Sequence, residues 1–156
     1  TPLNNIMRYY MIDGFAKTFI ASLIVIIVID IPVISQIMHP LWEKMVYNIQ
    51  QNPIVVNKQY AMVAYMLLAL SLSIFSIPNI RNTHVLSDSI YYGGMLGIVI
   101  YGVFDFTNLA IFKNYNLYVG LIDTLWGGLL LASCSYIVKR GINPISFNLL
   151  AKSSIT

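Results

Sequence analysis

Three aspartates stand where a carboxylate is least at home. Asp30, Asp105 and Asp123 lie inside apolar runs, two of them in the stretch YGVFDFTNLAIFKNYNLYVGLIDTLWG from Tyr101 to Gly127. A charged side chain at the centre of a bilayer costs about 3 kcal/mol even on the cheapest insertion scale. It persists there only if it is protonated, hydrogen-bonded, bound to a cation or open to water. Tyr101, Asn108, Thr124 and Trp126 lie close enough in sequence to donate hydrogen bonds to these carboxylates. Three roles are open to the cluster. It could staple helices together, hold a proton or a shared cation, or, as a third choice, do acid–base catalysis.

Other chemistries have little to stand on. His39 and His84 fall in predicted loops on opposite sides of the membrane and cannot pair as ligands within one chain. The lone Cys134 excludes an internal disulfide framework and any Cys-rich metal site. No HExxH, GxSxG or phosphate-binding glycine loop is present. The pairs Gly93-Gly94 and Gly127-Gly128 sit in apolar runs, where helix packing accounts for them better than nucleotide binding. The expectation is a non-enzymatic protein with no catalytic residues, no metal site and no cofactor.

The elements that position the aspartates follow from composition. Of 156 residues, 58% are hydrophobic and only 10% charged, and the mean hydropathy is +0.73. A soluble domain carries about 25% charged residues. The deficit predicts an all-α polytopic membrane protein. Net charge is +3 and the pI about 9.0. No basic run with interleaved aromatics exists, so this charge reads as membrane topology and not as nucleic-acid binding.

Four transmembrane spans are predicted, over residues 15–37, 60–77, 88–112 and 117–138. The first apolar run is too long for a cleavable signal peptide. Residues 1–14 read as a short interfacial segment ending at Gly14, and residues 139–156 as a surface tail with Gly141 capping the fourth span. Pro32 is expected to kink the first span beside Asp30. In the connection over residues 38–56, Pro40 starts a helix. Leu41, Trp42, Met45, Val46 and Ile49 form its apolar face, which reads as lying in the membrane interface. Asn52-Pro53 ends that helix. Span two holds Ser71, Ser73 and Ser76, to which no function is assigned. Ser87 or Asp88 is expected to cap span three, and Asn116 span four.

Helical spacing sorts the polar residues. Gly93, Gly97, Tyr101 and Asp105 recur every four positions, with Asn108 three further on, and share one face. Gly120, Asp123, Trp126 and Gly127 share another. The glycines allow close helix approach.

With four spans both termini lie on one side, together with Arg8, Lys17, Arg81, Lys139, Arg140 and Lys152. The other side has only Lys44, Lys58 and Lys113. The positive-inside rule puts the termini in the cytoplasm or its equivalent. Asp30 stands seven residues before position 37, Asp105 seven before position 112, and Asp123 six after position 117. A rise of about 1.5 Å per residue places all three in one layer, roughly 10 Å below the non-cytoplasmic face. No lysine or arginine lies at that depth. Three close carboxylates without a base are not all ionised cheaply, so at least one is expected to be protonated or a cation shared.

The run YGVFDFTNLAIF, a short polar turn, and LIDTLWGGLL resemble the Domain of Unknown Function 2177 family of small predicted membrane proteins, with its YGxxDxTNxA and (V/I)DxxWG motifs. The resemblance covers about residues 11–139 and implies four spans. Carried over, the matched positions are Asp30, Tyr101, Gly102, Asp105, Thr107, Asn108, Asp123, Trp126 and Gly127. The family's first span tends to read LDxxWL, whereas IDIPVIS keeps Asp30 and lacks the tryptophan. The resemblance implies a fold and no particular activity.

Two functions follow as expectations. The first is a structural or accessory subunit of a larger membrane assembly, whose partners are the lipid bilayer and other membrane subunits or itself. The second is a small transporter or ion- or proton-binding protein that uses the aspartate layer.

Overall fold

The structure is a computed structural model that describes the backbone of residues 2–153 and the side chains of residues 13–141. Every regular element among the described residues is helical. In hydrocarbon this is the arrangement that satisfies each segment's backbone within itself. Helix α1 (Pro2–Val33) runs through a π-helical turn, Ile34–Met38, into α2 (His39–Gln50). Helix α3 (Lys58–Ser71) ends through a π turn, Leu72–Ser76, and a 3₁₀ turn, Ile77–Asn79. The short α4 (Val85–Asp88) passes through a third π turn, Ser89–Gly94, into α5 (Met95–Ile111). Helix α6 (Leu117–Ser153) follows.

Four helical runs are long and apolar enough to cross a membrane: Asp13–Gln50, Lys58–Asn79, Val85–Ile111 and Leu117–Gly141. Their number and order match the prediction, but the first run is longer. Pro32 does not end it; the break expected beside Asp30 takes the form of the π turn that starts two residues later. Pro40 falls in the first turn of α2, where its missing N–H is tolerated. The π turn lies between two residues that cannot donate to an α-helical ladder, and there the backbone widens without breaking. Gln51, at φ 57°, finally stops the run.

Three predicted ends move. Gly14 lies inside α1 and Gly141 inside α6, neither at positive φ, so neither ends a helix. Span three starts at Val85, ahead of the expected cap, and Asp88 is used differently. Asn116 caps α6 as expected: its Oδ1 accepts from the N–H groups of Tyr118 (2.8 Å) and Val119 (3.4 Å). Asn57 does the same for α3.

The amphipathic α2 does not lie free. The face read from the sequence is the one the chain covers. Met45 packs with Tyr115 and Val119, flanked by Leu41, Trp42, Ile49 and Leu109. Trp42 packs with its ring tilted against Phe104 at 6.0 Å and meets Tyr115 edge-on at 6.2 Å. Asn114 Nδ2 donates to the Asn48 carbonyl at 3.1 Å. Helix α2 therefore folds over the turn between α5 and α6.

Span four is the hub. Half of its apolar window is buried, against 17%, 28% and 17% for spans one to three. Its Leu130, Leu131, Cys134 and Val138 join Ile26 of α1 with Ala69, Leu72 and Ile77 of span two in one core. On its other side the glycines of span three let α5 come into backbone contact. A Cβ on Gly97 would land inside the Gly127 peptide group, and one on Gly127 inside the Tyr101 side chain.

Candidate functional site

The site sits where α6 meets α1, α3 and α5. Asp30 on α1 is 2% exposed. Its Oδ2 accepts from the Tyr65 hydroxyl of α3 at 3.0 Å, and its Oδ1 from Trp126 Nε1 of α6 at 2.8 Å. One carboxylate thus ties three spans. IDIPVIS has no tryptophan of its own; the indole comes from span four. Asp105 on α5 is fully buried. Its Oδ1 accepts from the Tyr115 hydroxyl at 2.7 Å and its Oδ2 from Thr124 Oγ1 at 2.9 Å. Gly120 makes room for this carboxylate, since a Cβ there would lie 3.3 Å from Asp105 Cβ. Thr124 and Trp126 are two residues apart on α6, a rise of about 3 Å along the helix.

Asp123 also lies on α6, one residue before Thr124 and, on one face with it, three before Trp126. It is 8% exposed, yet no donor among the described residues reaches it. The fully enclosed, unbonded side-chain oxygens among those residues are the hydroxyls of Ser22 and Ser89. Both other aspartates lie within electrostatic range of Asp123.

The remaining predicted residues divide. Tyr101 is half-buried, with its ring on Gly127 and its phenol within electrostatic range of Asp30 and Asp123. Asn108 is half-buried beside the Tyr115 hydroxyl. Thr107 is exposed and takes no part, because two residues from Asp105 is about 200° around a helix. Gly93, Gly97, Gly120 and Gly127 are all buried at the α5–α6 contact or its π-helical extension.

Sequence reasoning missed several partners. Tyr65 carried a signal, a phenol in mid-span, that went unused. Tyr115 was hidden in a stretch that reads as a short polar turn. Ser71 and Ser73 bond their own backbone as expected, at 2.8 Å each, but Ser76 meets Ser135 of α6 at 2.8 Å. Asp88 accepts from the backbone N–H, Nε and Nη2 of Arg81 at 2.8–2.9 Å, closing the loop between spans two and three. The hydrogen bond and charge of Asp88 raise the Arg81 pKa still further. At the same end Lys139 Nζ reaches the Ile77 carbonyl at 3.4 Å.

The layer contains acids and neutral donors. The sequence has no Lys, Arg or His at positions 18–38, 59–80, 85–112 or 114–138. Among the described residues no three His, Cys, Asp or Glu side chains converge as a metal-binding group. Through Asp30 and Asp105 this arrangement joins α1, α3, α5 and α6 by hydrogen bonds.

Membrane-length helices tied by buried carboxylates define a multi-pass helical membrane protein. The chain belongs to the Domain of Unknown Function 2177 family of predicted membrane proteins, whose model matches residues 15–139, a range that includes all three aspartates. No curated protein and no solved structure matches the chain.

Proposed function

We propose that this chain is a non-enzymatic structural or accessory subunit of a larger membrane assembly. The observation that carries the reading is that both oxygens of Asp30 and both of Asp105 are engaged. Each accepts two hydrogen bonds from neutral donors of its own chain. Carboxylates occupied in this way hold helices and are not free to pass a solute. The alternative, a transporter built on the aspartate layer, is left with Asp123 alone.

The outer surface supports the same reading. Ile20, Ile24, Val28 and Ile31 line the outside of span one, and Leu121, Leu125 and Leu129 that of span four. Val99, Val103 and Phe106 do so on span three. These rows suit lipid or the spans of neighbouring subunits. Both termini are placed on the cytoplasmic or equivalent side. The contacts of Arg81 and Lys139 gather basic residues at that end, and the Asn48–Asn114 bond marks the other.

The test is the mass of the native particle extracted in mild detergent, with its co-purifying polypeptides identified. A large particle with fixed stoichiometric partners supports the reading. A lone monomer or small homo-oligomer overturns it and moves attention to proton or cation flux in liposomes.

A further inference from the structure

We infer that Asp123 is a proton-binding site, distinct in role from the two aspartates beside it, and that the ligand it takes is a proton. The three carboxylates look equivalent in sequence, each in an apolar run, but the structure separates them. Asp30 and Asp105 each accept two hydrogen bonds from other elements. Asp123 is 8% exposed and accepts none from the described residues. A buried carboxylate without donors has no compensation for its lost hydration, and in such places the group neutralises by taking a proton. Its neighbours reinforce this. The titratable groups that face the layer are Asp30 from α1, Tyr65 from α3, Tyr101 and Asp105 from α5, Tyr115 from the turn, and Cys134 from α6 itself. All are acids or phenols and a thiol; none supplies a positive charge.

Position on the helix explains why Asp123 alone is left unpaired. On α6 the donors Thr124 and Trp126 are spent on Asp105 and Asp30. Tyr65 and Tyr115, the phenols nearest the layer on other elements, are spent on the same two. Tyr101 is the remaining phenol within range, and its hydroxyl bonds none of the described residues. A protonated Asp123 carries one O–H, which converts an acceptor without donors into a group that can donate to a phenol oxygen or to water. The proposal does not depend on the subunit reading, and a lone particle leaves it untouched.

Infrared difference spectroscopy of the full chain in neutral phospholipid vesicles tests it. The expected result is the carbonyl stretch of one protonated aspartic acid at neutral pH, lost in Asp123→Asn and retained in Asp13→Asn. Absence of that band from the wild type, or its persistence in Asp123→Asn, overturns the proposal. So does loss of the band at fixed pH on adding sodium or potassium, which assigns the site to a cation. If Asp123→Asn does not fold, Asp123→Glu replaces it. The band must then shift in frequency, and an unmoved band overturns the assignment.

Discussion

The indole N–H of Trp126 donates to Oδ1 of Asp30 at 2.8 Å across 96 positions of sequence. The bond joins the last span to the first. The Tyr65 hydroxyl holds the other oxygen of the same carboxylate at 3.0 Å, so span two is fastened at the same point.

Trp126→Phe and Tyr65→Phe each leave one buried oxygen of Asp30 without its donor. Each is expected to lower stability by about 1–3 kcal/mol. The two changes share an acceptor, so the double variant should depart from the sum of the singles. Thermal unfolding in detergent measures both effects. Wild-type stability in both singles would show that Asp30 does not hold the spans.

Gly97 and Gly94 look alike in sequence and differ in space. A methyl at Gly97 collides with the Gly127 backbone, whereas one at Gly94 lies 3.7 Å from its nearest neighbours. Gly97→Ala is expected to destabilise by about 1–3 kcal/mol as α5 and α6 are forced apart. Gly94→Ala should be close to neutral. Unfolding midpoints of the two variants, measured side by side, check the contrast.

Gly14→Ala and Gly141→Ala distinguish a helix interior from a helix end. Both glycines lie within helices, and a Cβ at either meets no atom of the described residues within 4 Å. Each alanine should therefore stabilise its helix by about 0.5–1 kcal/mol. A glycine in a left-handed cap would give the opposite sign. Helicity and unfolding midpoint together report the outcome.

Trp42→Ala removes the ring contacts of α2 with Phe104 and Tyr115. Aromatic pairs contribute about 0.5–1.5 kcal/mol beyond their buried area. Amide exchange should accelerate in the turn over residues 112–116 and stay unchanged over residues 85–95. Equal exchange in both regions would mean that α2 does not hold the turn.

Much of this was legible in the sequence. Apolar runs longer than a bilayer is thick announce helices, because no other backbone arrangement satisfies itself in hydrocarbon. Spacing by fours placed Gly93, Gly97, Tyr101 and Asp105 on one face, and the structure keeps them together. Helix ends were read less well. Gly14, Gly141 and Pro32 are breakers by propensity, yet α-helical or π-helical backbone continues past all three. Local preference yields where the flanking residues favour one long helix.

The sequence by itself determined the class of protein, its four spans and the family. All of these depend on hydropathy and helical rise, which act along the chain. Tertiary structure alone decided which carboxylates are satisfied. Tyr65 and Tyr115 reach Asp30 and Asp105 only because the helices cross where they do. A hydrogen bond needs its donor within about 3 Å, and no pattern within one helix states what another helix brings that close. The same crossing left Asp123 buried with no hydrogen-bond donor among the described residues.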